Sequence, residues 1–278
     1  MNFFCALPGP LRPEWIQYGF MQNALLAILI VAPLFAFLGC LVVNNRMAFF
    51  SDAVGHAALT GLAIGALCGL TDPAPAMLAF AVLLAFGISL LHRLTEASTD
   101  TVLGLVMSFT VALGVVLLSR GGGFAKYSRY LVGDLLTITH GEIGRLALLG
   151  MILAGGVMLF YNRIFLAFLH KPLAISRGRN VWLIEALFSA AIALSVTLCI
   201  PWIGILVVNS LLVMPAAAAR NLARNTAAYA WIAALISIVS GVAGLIASFY
   251  WGTASGATIV LFLMGFFVLS VLFRRRGN

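Results

Sequence analysis

Long uninterrupted apolar runs dominate this sequence, and they constrain its fold more than any other feature. Nine such runs follow one another along the chain, most of them near the roughly 20 residues that a helix needs to cross a bilayer. Charged residues make up only 9% of the 278 residues, and hydrophobic residues 63%. Soluble domains carry about 25% charged residues, so a single water-soluble core is excluded. The runs cover residues 18–43, 47–70, 75–94, 101–118, 143–161, 181–200, 203–214, 227–250 and 257–273.

This pattern predicts an all-α polytopic membrane protein with about nine, and at least eight, transmembrane helices. We expect one domain that covers residues 1–278. The seventh run is too short to cross alone, so we expect it to continue through Pro215 as a broken or bent helix. An outer-membrane barrel is excluded because barrel strands alternate in polarity. The net charge of +8 is explained by basic cytoplasmic loops rather than by nucleic-acid binding.

The basic residues also predict an orientation. If the connection at residues 44–46 is cytoplasmic, most of the 16 Lys and Arg residues share that side, as the positive-inside rule requires. Residues 1–16 then form an external segment, and the C-terminus is cytoplasmic. The stretch at 121–138 is predicted as an interfacial or re-entrant segment on the external side. The predicted cytoplasmic bases are Arg46, Arg93, Arg163, Lys171, Arg177, Arg179, Arg220, Arg224, Arg274, Arg275 and Arg276.

Asp52 and His56 are a closely spaced ionisable pair inside the second predicted span. They stand four residues apart, so they share one face of a helix, and Thr60 continues that face. The opposite side carries small residues suited to close helix packing. These are Gly61, Gly65 and Gly69.

Three functions are open to the Asp52–His56 pair. Carboxylate oxygen and imidazole nitrogen suit zinc, manganese or iron, and argue against copper(I). The same two groups also fit a hydrogen bond or ion pair that stabilises the bundle, or a proton relay. Zinc takes about four ligands, so a metal site built from this pair needs a second copy of the chain.

His140 and Asp134 lie on the predicted external side. They are candidates for an external mouth that receives an ion. For His140 the alternative is a solvated surface histidine without a function.

The segment 215–225 follows the seventh apolar run. Pro215 can begin a new helix at a changed angle, and Ala216 and Ala217 continue it toward two bases, Arg220 and Arg224. Such a short alanine-rich helix at the cytoplasmic surface suits docking on a partner. A plain helix end that carries positive-inside charge is the alternative.

Together these segments resemble the permease subunits of metal-ion ABC importers, the family that takes up zinc, manganese and iron. The resemblance extends over residues 21–273. Residues 51–57, Ser-Asp-Ala-Val-Gly-His-Ala, resemble the Ser/Gly-Asp-x-x-x-His-Ala motif of that family. Residues 211–217, Leu-Leu-Val-Met-Pro-Ala-Ala, resemble its Leu-Leu-x-x-Pro-Ala-Ala segment. Residues 130–136 and 255–261 also match in type and position.

The resemblance implies the transmembrane-domain fold of ABC importers in a bacterial cytoplasmic membrane. It implies a homodimeric permease, two cytoplasmic ATPase subunits and an extracytoplasmic metal-binding protein. Asp52 and His56 would line the translocation path, and residues 215–225 would form the coupling helix that contacts the ATPase. No permanently bound cofactor is implied, only a transported divalent ion, with zinc favoured over manganese and iron.

Other functions fit less well. The chain has no Gly-x-x-x-x-Gly-Lys-Ser/Thr loop, so we predict a transport subunit without enzymatic activity, served by a separate ATPase. An intramembrane metalloprotease is disfavoured because no His-Glu-x-x-His stretch occurs. The alternatives left open are an ABC permease for a metal chelate, such as cobalamin or a siderophore, and a proton-coupled secondary transporter.

Overall fold

The computed structural model describes residues 14–95, 97–120, 129–133, 135–169, 176 and 180–273. All regular elements within these ranges are helical. A single turn of helix, α5 (Arg129–Val132), separates the first four long helices from the last five, and short 3-10 turns lie at Glu14–Gln17 and Leu135–Thr137. The long helices are α1 (Gly19–Asn44), α2 (Ala48–Leu67), α3 (Ala74–Leu94), α4 (Thr99–Arg120), α6 (His140–Leu169), α7 (Val181–Ile203), α8 (Ile205–Leu222), α9 (Thr226–Trp251) and α10 (Ser255–Leu272).

Eight helices in the described part of the chain are long and apolar enough to span a bilayer, namely α1 to α4 and α7 to α10. The predicted run at 143–161 falls inside α6, a further long helix of 30 residues. The all-α polytopic fold is therefore confirmed. Residues 1–13, the glycine-rich stretch at 121–128, Asp134, most of the basic loop at 170–179 and the basic tail at 274–278 lie outside the described residues.

The helices pack in two groups that α8 joins. In one group α1 packs against α8 and α9, and α10 packs against α8 and α9. In the other group α2 lies against α3 and α4, and α7 lies against α3. Because α8 also contacts α2 and α7, it places its own side chains next to the Asp–His pair of α2.

Glycines determine how closely α2 approaches α3. A side chain at Gly61 would come within 2.8 Å of the backbone of Met77, and Gly65 lies against Pro73. The predicted glycine seam is therefore confirmed at these two positions. Gly69 lies beyond the end of α2, with φ of 72° and no neighbouring atom within 4 Å, so it does not belong to the seam.

One residue connects α7 to α8. Gly204 stands alone between Ile203 and Ile205, with φ of 84° and ψ of 155°, a conformation that favours glycine. Gly133, which follows α5 and has φ of 74°, rests directly on this junction. A Cβ at Gly133 would collide with the carbonyl of Ile203 and the nitrogen of Gly204. At Gly133 the chain therefore meets the α7–α8 junction main chain against main chain.

Helix α8 continues through Pro215 to Leu222 without a break. The predicted helix through Pro215 is therefore continuous and not broken, while the alternative of a bent helix and the coupling role of 215–225 stay predictions. Proline cannot donate the usual hydrogen bond to residue i−4, but Pro215 is buried and α8 is packed between α1, α9 and α10. This packing supports the helix across the missing hydrogen bond.

Candidate metal centre

Asp52 and His56 lie together on one face of α2, in its second and third turns, as their spacing predicts. Nε2 of His56 lies 3.9 Å from Oδ1 of Asp52. Two ligands of one ion, each at about 2.1 Å from it, stand roughly 3.0–3.4 Å apart, so a small side-chain rotation brings both onto a common ion. The His56 side chain is 27% exposed and that of Asp52 37%. Neither donor is sealed inside this subunit.

Asn209 of α8 is the third polar residue at this position. Its Nδ2 donates a hydrogen bond to Oδ1 of Asp52 over 2.7 Å. Helices α2 and α8 meet closely here because residue 55 is glycine, where a Cβ would lie 2.8 Å from Cγ2 of Ile205. The other end of the amide, Oδ1 of Asn209, is buried and has no hydrogen-bond partner.

Sequence reasoning did not find Asn209. Its contact with Asp52 joins residues 157 positions apart, which no local pattern reports. One signal was present in the sequence, because Asn209 is a lone amide within an apolar run, and polar groups at membrane depth are costly.

Thr60, which the spacing predicts on the same helix face, makes a buried contact between helices. Its hydroxyl donates to the backbone carbonyl of Thr110 over 2.7 Å, and its side chain is fully buried. Gly114 of α4 leaves the space for this contact, since a Cβ there would lie 2.7 Å from Oγ1 of Thr60. Thr60 therefore holds α2 against α4.

The donor set of one subunit is small. Within the described ranges, no three His, Cys, Asp or Glu side chains lie together as a group able to hold a metal ion. Asp52 and His56 alone therefore fall short of the four ligands that zinc usually takes.

His140 is exposed at the first position of α6. The neighbouring acid serves the helix end, because Oε2 of Glu142 accepts hydrogen bonds from the backbone nitrogen and the hydroxyl of Thr139, each over 2.8 Å. This is one half of a capping box, in which the acid in the first turn accepts from the backbone nitrogen of the capping residue. Asp134 lies outside the described residues, so the external mouth formed by His140 and Asp134 stays a prediction.

The end of α8 has one buried and one exposed side. Pro215, Ala216, Ala218 and Ala219 are buried, whereas Arg220 and Arg224 are exposed, and Ala217 is partly exposed. A cleft of about 360 Å³ opens beside the two arginines. Its other lining residues include Asn44, Asn225 and Tyr229. The exposed side of the predicted coupling segment is therefore basic and concave.

A bundle of long apolar helices with a carboxylate, an imidazole and an amide side by side defines a polytopic membrane protein with a polar site between its helices. The chain belongs to the ABC 3 transport family, whose profile matches residues 17–274, and so to the permeases of metal-ion ABC importers.

Individual relatives cover nearly the whole chain. It is 31% identical over 258 residues to the high-affinity zinc uptake system membrane protein ZnuB of Haemophilus influenzae, with 91% of this chain and 97% of that protein covered. It is 27% identical to the manganese transport system membrane protein MntC of Listeria innocua, with 93% and 92% covered. The solved structure of PsaBC from Streptococcus pneumoniae in complex with Fab superposes with a TM-score of 0.81 at 23% identity, over 94% of each chain. This likeness confirms the expected fold.

Proposed function

We propose that this chain moves a divalent metal ion inward across the bacterial cytoplasmic membrane, as the permease subunit of an ATP-driven importer. Zinc is the favoured ion, and manganese and iron are the alternatives. The Asp52–His56 pair carries the proposal, because its oxygen and nitrogen lie 3.9 Å apart on a partly exposed helix face. These donors suit all three ions. Relatives named for zinc and for manganese support the same range.

The site is complete only in a homodimer. Two copies of Asp52 and His56 that face each other across a twofold axis supply four donors, the number that zinc favours. Their two carboxylates offset the charge of the ion where the surrounding apolar helices cannot. The partial exposure of both side chains leaves them accessible to a second copy.

Other subunits supply the energy of ATP hydrolysis and deliver the metal ion. Two cytoplasmic ATPase subunits hydrolyse ATP and contact the exposed end of α8, where Arg220 and Arg224 border a cleft. An extracytoplasmic metal-binding protein delivers the ion to the opposite side. A transport site must release its ion, so we expect binding that is weak enough for the ion to leave.

Metal uptake by proteoliposomes of the full complex tests this function. Asp52→Asn removes the charge while keeping the shape, and His56→Ala removes the second ligand, so each should abolish ATP-dependent uptake of Zn²⁺. Competition by Mn²⁺ and Fe²⁺ identifies the preferred ion. Metal analysis of the loaded complex should find one ion for every two permease chains.

Two matched variants control for the loss of a carboxylate or an imidazole elsewhere. Asp100→Asn changes an exposed acid in the first turn of α4, and His92→Ala changes an exposed histidine that bonds Thr99 over 3.0 Å. Both should transport at wild-type rates. Wild-type uptake by Asp52→Asn and His56→Ala would instead make the pair a structural contact, and uptake without ATP would indicate a secondary transporter.

A further inference from the structure

The amide of Asn209 has one end engaged at the proposed metal centre and one end unused. Its nitrogen bonds the same Asp52 oxygen that faces His56. Its carbonyl oxygen is buried without a partner, and a buried unsatisfied polar atom is costly. The site therefore holds a hydrogen-bond acceptor that has no partner among the surrounding residues.

The position of this amide matches that of an ion ligand. Its nitrogen stands 2.7 Å from Oδ1 of Asp52, close to the roughly 3.0–3.4 Å that separates two ligands of one ion. Rotation of the amide about its Cβ–Cγ bond exchanges the nitrogen with the oxygen. The oxygen gives up no hydrogen bond in that exchange, because it has none.

We propose that Asn209 is a switching ligand of the transported ion, an inference that rests on the proposed function. In this structure its Nδ2 donates one hydrogen bond to Oδ1 of Asp52. When the ion arrives it displaces that hydrogen bond, the amide rotates, and the carbonyl oxygen joins Asp52 and His56 as a third donor.

This third donor bears on which metal is carried. Two copies of the three residues supply six donors, four of them oxygens. Carboxylate and carbonyl oxygens suit manganese, whereas zinc is satisfied by four ligands. Asn209 therefore contributes more to the binding of Mn²⁺ than to that of Zn²⁺.

Calorimetric titration of the permease–ATPase complex in nanodiscs, with Mn²⁺ and Zn²⁺ separately, tests the switch. Asn209→Ala should weaken Mn²⁺ binding by about 10- to 100-fold, the range found when partners of metal ligands are removed, and Zn²⁺ binding by less. Asn209→Asp keeps an oxygen ligand but lacks the N–H group, so it should bind Mn²⁺ at least as tightly as the wild type. Asn221→Ala is the matched control on the same helix, because Asn221 bonds Ser270 over 3.0 Å, away from the metal centre.

Wild-type protein labelled with ¹³C at the asparagine side-chain carbonyl supplies a second measurement that does not depend on variant folding. Addition of Mn²⁺ should shift one carbonyl band in the infrared spectrum, and Asn209→Ala should remove that shift. Without a shift in the wild-type protein, or with Mn²⁺ binding lost equally in Asn209→Asp and Asn209→Ala, Asn209 is only a hydrogen-bond donor and the switch is wrong.

Failure of the switch is distinct from failure of the proposed function. If Asp52→Asn and His56→Ala lose metal binding while both Asn209 variants bind like the wild type, only the switch is overturned. If the Asp52 and His56 variants also bind like the wild type, both proposals are wrong.

Discussion

At the scale of single residues, the contact between α1 and α8 depends on Gly39. A Cβ at this position would overlap the backbone carbonyl of Leu212, which cannot move without displacing α8. Because the obstacle is main chain, no rotamer change relieves it. The distance between these two helices, and with it the position of Asn209, is therefore set by the absence of one side chain.

We predict that Gly39→Ala destabilises the folded permease by about 1–3 kcal/mol, the usual cost of overpacking a core. Thermal unfolding in detergent, followed by the fraction of protein that stays monodisperse, measures the effect. Gly87→Ala is the control, since nothing lies within 4 Å of a Cβ there and alanine favours the helix by roughly 0.5–1 kcal/mol. Equal stability of the two variants would contradict the close packing of α1 on α8.

Features of single residues could be predicted from the sequence where they depend only on neighbours within the same helix. The four-residue spacing of Asp52 and His56 predicted a shared face because helix periodicity is a property of a short segment. The neighbours of that face come from elsewhere: Thr60 bonds Thr110, 50 positions away, and Asn209 reaches Asp52 across 157. Helix periodicity shows which side chains share one face of a helix. It does not show which residues of other helices that face contacts.

At the scale of elements, α8 carries Asn209, beside the candidate metal centre, and the exposed Arg220 at its other end. Asn209 stands near its start and Arg220 in its last turn, with no interruption at Pro215. The sequence predicted a broken or bent helix there because proline lacks an N–H, but α8 packs on three neighbouring helices and is not broken. One continuous helix therefore connects the two regions.

We predict that Arg220→Glu combined with Arg224→Glu weakens association with the ATPase subunits, because both side chains are exposed beside the cleft and charge reversal at a polar interface opposes docking. Co-purification of the ATPase from detergent extracts measures this. Arg93→Glu reverses an exposed arginine that lies over the Trp182 ring, 5.5 Å from its centroid, and should leave the yield unchanged. An undiminished yield from the double variant would remove the coupling role of this segment.

At the scale of the whole molecule, hydropathy predicted the number of helices better than their ends or their arrangement. The run at 203–214 became Ile205–Leu222, and the run at 143–161 became His140–Leu169. Apolar runs report the part of a helix that is apolar, so they miss ends with polar or small residues. Hydropathy does not predict which helices pack against each other, such as α8 against α1 and α2.

The predicted orientation is tested by a native cysteine. Cys68, just beyond the end of α2, is exposed, whereas Cys40 and Cys199 are buried. Positive-inside reasoning places the end of α2 outside, so a membrane-impermeant maleimide should label Cys68 in intact cells that carry the Cys5→Ser background. Cys68→Ser should abolish this labelling. Labelling only after permeabilisation would invert the topology.

The contact of Gly133 with the junction at Gly204 has a consequence for how such a chain adapts. Because main chain meets main chain there, the contact does not depend on which side chains the neighbouring residues carry. A substitution at the exposed Thr137 leaves it in place, whereas any side chain at Gly133 itself would break it. Asn209 lies five positions after Gly204, so tolerance to substitution at this junction decides how firmly the start of α8 is held.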